Sequence, residues 1–422
     1  MPSEATRADA GAVGPPSAPR GDSPLAYRDF RLLWIGQFVS QVGNQMQVVA
    51  VAWQVYQLSH DPLALGAIGL VRVLPIIVLG IFGGVIADAI DRRRLMLATQ
   101  TILMLISFAL FALTRAGAIS VGGLYACCLL AGAAIAVDNP ARQAIVPSLV
   151  PDPVLPRALS LGVTTWQLAT VLGPMFGGLL LAARGAEIVY LLDALSFLAV
   201  LYALLVMRHR AARASGVRLG MPAIREGFRF LRGAPILLSL MLLDFLATFF
   251  AGAMLLMPIF ANDLLAVGPR GLGALFAAPA IGSMLAALVI STTGPPPLAG
   301  STVLWCIALY GGSVAAFGVS GSFLVAILFL TLSGAADGVS TVVRQTLRQL
   351  LTPDELRGRM TAVNMIFFMG GPQLGEFEAG AVARLCGARC SVVSGGVLCV
   401  LLGAAFTLLA PRLRRYRLEP GA

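Results

Sequence analysis

Five ionisable residues interrupt long apolar stretches of this chain: Arg72, Asp193, Asp244, Glu376 and Glu378. Two more carboxylates, Asp138 and Asp337, stand at the ends of such stretches. A charge at the centre of a bilayer costs at least about 2.5–3.5 kcal/mol, so such a residue pairs, neutralises or faces a water-filled space. A carboxylate there can carry a proton, and an arginine can hold a carboxylate. Asp244, with Thr248 one turn along on the same face, reads as the proton carrier. Asp138 and Asp337 each precede an Arg-Gln pair and read as structural caps of loops. Asp193, near a stretch boundary, reads as a residue reaching water. Gln37, Gln41, Asn44 and Gln47 follow at spacings of four, three and three, which sets them on one helical face. Amides on such a face avoid lipid. They either line a substrate cavity or bind helices together.

Other chemistry is sparsely provided for. There is no lysine, and the only histidines are His60 and His209. Cys127, Cys128, Cys306 and Cys399 sit in apolar runs as small hydrophobes. Cys386 and Cys390 lie near a short loop where pairing is one option. No Cys-x-x-Cys, no Ser-His-Asp set and no phosphate-cradling loop with Lys is present, so neither metal, cofactor nor enzymatic activity is expected.

The elements that position these residues follow from composition. Hydrophobic residues make up 58% of the 422 and charged residues 12%, against about 45–50% and 25% in soluble domains. A mean hydropathy of +0.86 agrees with a chain solvated mostly by lipid. Apolar runs fall at about 30–57, 63–88, 95–114, 119–138, 160–183 and 186–207, and again at 235–261, 270–292, 299–319, 321–341, 359–384 and 391–410. Each is long enough to cross a bilayer, which takes about 20 residues. The spacing predicts an all-α membrane protein of twelve transmembrane helices in two pseudo-symmetric six-helix bundles. Residues 1–25 read as a disordered tail, 26–207 and 235–411 as the bundles, and 412–422 as a second tail. Residues 208–234 read as a linker whose amphipathic helix lies on the inner leaflet, a solvated linker being the alternative.

The net charge of +10 comes wholly from arginine. With the N-terminus inside, twenty-four arginines fall on inner segments and five on outer ones, the bias that sets orientation in membranes. Both termini are therefore expected in the cytoplasm, and the charge is not read as a nucleic-acid surface. The halves also repeat. Arg142-Gln143, seven residues and Pro151-Asp152 recur as Arg344-Gln345, seven residues and Pro353-Asp354, and Gly173-Pro174 recurs as Gly371-Pro372. Two same-orientation six-helix units are the parallel-repeat arrangement of major facilitator transporters.

Two motifs carry that resemblance further. Gly84-Val-Ile-Ala-Asp88-Ala-Ile-Asp91-Arg92-Arg93-Arg94 resembles the superfamily's signature between its second and third helices, although Ala89 and Asp91 replace the usual Arg and Gly. Gly173-Pro174-Met-Phe-Gly177-Gly178 resembles the element of its proton-antiport branch. From about residue 26 to 411 the chain resembles the enterobactin-exporter-like branch, the transmembrane secretion effectors. The stretches that carry this are Phe30-Arg-Leu-Leu-Trp-Ile-Gly36-Gln37, Asp138-Asn-Pro-Ala-Arg142-Gln143 and Gly375-Glu376-Phe-Glu378-Ala-Gly380. The resemblance implies proton-driven export of a small amphipathic molecule, such as a drug, macrolide or siderophore, from the bacterial cytoplasmic membrane by a monomeric carrier. An uptake symporter and a non-transporting membrane sensor are the alternatives.

The resemblance also sets the second and eleventh helices face to face. Arg72 lies about nine residues in from the outer end of the second run, roughly 13 Å at 1.5 Å per residue. Glu376 and Glu378 lie at roughly 12 and 9 Å in the eleventh. Arg72 is expected to pair with one of them when the outer side closes. Asp88 is expected to meet the start of the eleventh helix near Arg357 and Arg359 when the inner side closes.

Overall fold

The computed structural model describes residues 23–89, 91–208, 221–294, 296–353 and 356–417. The expected tails, save their inner ends, and residues 209–220 of the linker lie outside that description, as do the side chains of residues 80–90 and of Arg357. Asp88 and Arg357 therefore cannot be placed, and Gly84 is described only as helical backbone.

The chain is nearly all helix. Six long helices come first: α1 (Arg28–Ser59), α2 (Pro62–Ala89), α3 (Arg92–Arg115), α4 (Val121–Ile145), α5 (Leu155–Arg184) and α6 (Ala186–Val206). A short α7 (Met221–Gly233) leads to α8 (Pro235–Ala251), the short α9 (Met257–Ile259), α10 (Gly268–Thr293), α11 (Ala299–Val319), α12 (Phe323–Leu351), α13 (Arg357–Cys386), α14 (Ala388–Leu409) and α15 (Pro411–Arg414). Among the described residues, ten segments are long and apolar enough to cross a membrane. The other two long helices, α1 and α13, carry the amides and the two glutamates, and that polarity is what removes them from the apolar set. Leu324, Leu385 and Leu408 are each more than three-quarters exposed. Such an apolar perimeter has lipid, not water, as its natural solvent.

Packing in the second group of helices repeats that of the first, pair by pair. The contacts α1–α5, α1–α6, α2–α4, α3–α4 and α3–α6 have counterparts in α8–α13, α8–α14, α10–α12, α11–α12 and α11–α14. Between the groups, α2 crosses α13 and α5 crosses α10. Both crossings are built from glycine. A Cβ on Gly66 would stand 2.9 Å from the Cα of Gly380, and one on Gly178 would stand 2.8 Å from the Cα of Gly273. Only hydrogen lets the backbones approach so closely. All four glycines lie near the ends that arginine placement assigns to the outside.

Two expectations need correction. The run 235–261 is not one helix: α8 stops at Ala251, Gly252 and Ala253 leave helical geometry, and a tight turn, α9 and a π-turn at Phe260–Leu264 finish the span. The amphipathic helix of the linker exists as α7, but its apolar side is docked onto protein. Leu231 is buried with Leu237, Met241, Met360 and Val363.

Candidate functional site

The break after α8 opens the centre of the second group. Ala251, Gly252, Ala253, Met254 and Met257 from the broken span line a cavity of about 270 Å³ with Phe276, Tyr310, Phe317, Ser283, Ser333 and Asp337. Discontinuous helices place backbone ends at such midspan cavities and mark binding sites in transporters. Gly252 is required for the break, because a Cβ there would run into the carbonyl of Thr248.

Arg344 of α12 is the hub beside this cavity. It forms an ion pair with Asp244 of α8 at 2.5 Å and reaches Asp337, two turns back on its own helix, at 3.5 Å. It also donates to the Thr341 hydroxyl at 2.9 Å. The side chains of Arg344 and Asp244 are 10% and 15% exposed, whereas Asp337 is 45% exposed. Asp337 therefore caps no loop; it faces the cavity from within α12. Thr248 does not support the Asp244 carboxylate as its spacing suggested, because its hydroxyl donates to the Asp244 backbone carbonyl at 2.8 Å.

Asp138 caps no loop either. It is buried within α4, held by Arg142 at 2.5 Å and by the Thr99 hydroxyl at 2.6 Å. Asp193 reaches no water. It is fully buried, with one carboxylate oxygen accepting from Ser107 at 2.6 Å. Gln47 belongs to that same cluster, donating to Ser107 at 3.0 Å, so it turns into the first group and away from any cavity between the groups. The face expected from spacing alone is thus split. Gln37 Nε2 and Gln41 Oε1 are buried without a hydrogen-bond partner, a condition that a polar ligand would relieve. Asn44, half-buried, lies beyond them on the same helix.

Toward the end that arginine placement assigns to the outside, Glu376 lies against α2: a Cβ on Gly69 would stand 2.8 Å from its Oε2. Among the described residues no ion pair joins Arg72 to Glu376 or Glu378. The cross-group polar contacts lie nearer the surface. Tyr56 donates to Asp263 at 2.5 Å and accepts from Asn262 at 2.9 Å, joining α1 to the π-turn. Arg384 of α13 meets Asp61, just before α2, at 3.7 Å. Cys386 and Cys390 are joined as a disulfide across the turn from α13 to α14, with Cα atoms 5.8 Å apart.

Comparison with known proteins decides the family. A model of the transmembrane secretion effectors matches residues 21–419, nearly the whole chain. The chain belongs to the transmembrane secretion effector family. Relatives include the enterobactin exporter EntS of Shigella boydii serotype 18, 26% identical over 395 residues that make up 93% of this chain and 94% of that one. EntS of Escherichia coli O81 is 25% identical over the same coverage. Among solved structures, a bacterial homologue of the human lysosomal transporter Spinster, inward-facing and unoccupied, superposes with a TM-score of 0.74 at 19% identity, covering 95% of this chain and 100% of that one. A bacterial homologue of the iron transporter ferroportin, inward-facing, gives 0.67 at 16% identity, covering 90% and 98%. The fold is that of major facilitator transporters, and the protein is a multi-pass membrane transporter rather than an enzyme.

In this secretion effector the signature arginines brace the first group of helices. Asp91 caps α3 by accepting from the Arg94 backbone N–H at 3.0 Å. Arg92 donates to the carbonyl of Ala144 at the end of α4 at 2.7 Å, and Arg93 to that of Leu205 at the end of α6 at 2.9 Å. Cations at helix C-termini satisfy orphan carbonyls and oppose the helix dipole. Arg359 pairs with Glu226 of α7, and the Phe228 and Phe367 rings pack beside that pair with centroids 6.2 Å apart. Of the antiport-type element, Gly173 and Gly177 pack on α1, while Pro174 and Gly178 carry the crossing to α10.

Sequence reasoning passed over Tyr56, Asp61, Asn262, Asp263 and Tyr310. The first four sit at helix ends, where polarity is ordinary and carries no period. Tyr310 is one aromatic in an apolar run, and nothing but the break in the seventh span gives it a task.

Proposed function

We propose that this secretion effector exports a small amphipathic molecule across the bacterial cytoplasmic membrane by proton-coupled alternating access. In this reading α1 and α13 join the ten apolar spans to give twelve. The termini and the 208–234 linker lie in the cytoplasm, and one chain is the working unit. The observation that carries the reading is Arg344 set between Asp244 and Asp337 on facing helices beside the midspan cavity. One cation against two carboxylates leaves a site that a proton completes. Loading a proton on Asp244 releases Arg344 to Asp337, and unloading returns it, so protonation and the packing of α8 against α12 are one event. Gln37, Gln41 and Asn44 offer unpaired amides to the substrate from the first group.

The outer gate in this reading consists of the two glycine crossings, with Arg72 and Glu376 approaching one another as it tightens and Glu378 as the alternative partner. Asp88, Arg357 and Arg359 serve the inner gate. The enterobactin exporters named among the relatives support export over uptake. Everted vesicles test it: energised vesicles containing the protein should accumulate substrate, and Asp244→Asn should abolish accumulation while leaving substrate binding nearly intact. Accumulation in right-side-out vesicles instead would make it an uptake symporter.

A further inference from the structure

The cavity beside the broken span has a charge and a lining of its own. Asp337 is the only charged side chain among the described residues lining it. Its single cationic neighbour is Arg344, 3.5 Å away, and that arginine is already committed to Asp244 at 2.5 Å and to Thr341 at 2.9 Å. Arg344 therefore neutralises Asp244, and the Asp337 charge is left over, 45% exposed into the cavity. The broken span adds to the same sign. The C-terminal end of α8 borders the cavity through Ala251 and Gly252, and a helix C-terminus carries roughly half a negative charge. Tyr310 takes up one end carbonyl, donating to Ala251 at 3.4 Å, and its hydroxyl adds no positive charge.

Around this negative centre the walls are aromatic and soft. Phe276, Tyr310, Phe317, Met254 and Met257 line it. The polar residues between them, Gln167, Thr170, Ser283 and Ser333, are neutral. Rings attract an organic cation through their faces, and methionine adapts to varied apolar shapes. A metal ion would find one carboxylate, the other side-chain oxygens of the lining being neutral hydroxyls and one amide. A catecholate or other anion would be repelled. What remains is a lipophilic cation.

We infer that this cavity is a subsite for the positively charged end of an amphipathic amine or other organic cation, with Asp337 as its counter-ion. The inference rests on the export reading for its purpose, since the bound cation would be the cargo, but not for its chemistry. It places substrate charge recognition in the second group of helices, opposite the amides of α1, so that a substrate with a cationic end and a hydrogen-bonding end spans both.

Tetraphenylphosphonium is a suitable probe, because it is permanently charged, and triphenylphosphine oxide is its neutral companion. Binding of both is measured on purified full-length protein in nanodiscs, with empty nanodiscs subtracted. The cation should bind saturably. Asp337→Asn should weaken it at least roughly tenfold, as expected when one member of a desolvated charge pair is removed. Asp337→Glu should restore most of the affinity, and the neutral probe should bind wild type and Asp337→Asn alike. Equal affinity of wild type and Asp337→Asn for the cation overturns the subsite. Should Asp337→Asn not fold, Met254→Lys sets a fixed cation at the cavity wall and should exclude the probe; undiminished binding there overturns it equally. Transport in everted vesicles separates the two readings. Asp337-dependent binding without energised accumulation keeps the subsite and removes export, whereas energised accumulation by wild type together with equal cation affinity in wild type and Asp337→Asn keeps export and removes the subsite.

Discussion

Arg142 and Arg344 open the two copies of the same Arg-Gln repeat, and they finish in opposite arrangements. Arg142 holds Asp138, one turn back on its own helix, and Thr99 closes the other carboxylate oxygen. The pair is self-contained: one acid, one base, both on α4. The offset between the copies is 202 residues (344 less 142), the same as between Gly178 and Gly380 at the two crossings (380 less 178). At that offset Asp138 corresponds to Ser340, which is buried with no hydrogen-bond partner for its hydroxyl. Without an acid one turn back, Arg344 reaches across to α8 and further back along α12. Loss of one carboxylate turns an internal brace into an inter-helix pair with a surplus negative charge. The arginine stands in both copies, and its neighbours make it an internal brace in one and an inter-helix pair in the other.

The largest expected effect separates the two arginines. Arg344→Gln strands Asp244 and Asp337 without a cation, and removing one partner of a buried pair costs about 3–5 kcal/mol. Energised accumulation in everted vesicles should fall to background. Arg142→Gln leaves the still more buried Asp138 with Thr99 alone and also costs about 3–5 kcal/mol of stability, but it touches no inter-helix pair. A lower thermal midpoint with measurable accumulation is expected. Equal loss of transport in both variants would erase the functional difference between the copies.

A sharper form of the comparison rebuilds one copy in the other. Ser340→Asp gives Arg344 the partner one turn back that Arg142 has. The arginine should turn to it and leave Asp244, so uphill accumulation should drop about tenfold, the loss that goes with roughly 1.4 kcal/mol of misdirected pairing. Adding Asp244→Asn to Ser340→Asp removes the proton carrier and so abolishes accumulation, but it should lower the thermal midpoint little further, because the pair it removes is already broken. Two independent, additive losses of stability would show that Arg344 had not moved.

Much of this site was legible in the sequence, and the rest was not, for definite reasons. Asp244 stands out because charge is scarce in apolar runs and any exception is visible, whereas Arg344 stands out only through the repeat and reads as one of the arginines on inner segments. Their partnership is not visible, since Asp244 and Arg344 are far apart in the chain and only the packing of α8 on α12 brings them together. Asp337 was misread because its place near the end of an apolar run suggested a loop, whereas α12 continues helical to Leu351. Gln47 was misread because a helical face was treated as having one environment. Alpha1 packs on α5 and α6 as well as bordering the gap between the groups, and three residues of spacing rotate a side chain from one environment to the other. The break at Gly252 escaped notice because a Gly-Ala step in a run this apolar has no compositional mark.

The glycine crossings extend the comparison to the interface between the groups. Pro174 and Glu376, 202 residues apart, present equivalent carbonyls to Gly273 and Gly66, so the two crossings are copies and should respond alike. Gly178→Val or Gly66→Val sets methyl groups against facing backbone, and overpacking of this kind costs about 1–3 kcal/mol. In the proposed gate that cost falls on the outer-closed arrangement. Labelling of a cysteine at the midspan cavity from outside should rise about tenfold or more in each variant. A rise in one and none in the other would show that only one crossing acts as the gate.

The smallest effects belong to the exposed ion pairs at the two ends of α13. Arg384–Asp61 joins α13 to the start of α2 across the groups, at 3.7 Å with side chains 59% and 33% exposed. Arg359–Glu226 joins α13 to α7, with side chains 34% and 47% exposed. Pairs so open to solvent contribute about 0–1 kcal/mol, so neither holds a gate shut. Their difference lies in what each crosses. Asp61→Asn loosens a contact that in the proposed gate belongs to the outer-closed state, so outside labelling of the same cavity cysteine should rise by less than about fivefold. Glu226→Gln loosens a contact within the second group and should leave that labelling unchanged. Its consequence is confined to α7, whose docking through Leu231 is apolar, and raised proteolysis between residues 208 and 220 is the measurement that reports it. A change in outside labelling with Glu226→Gln would mean that α7 is tied to the gates after all, and α13 would then transmit the state of its inner end to Gly380 at its outer one.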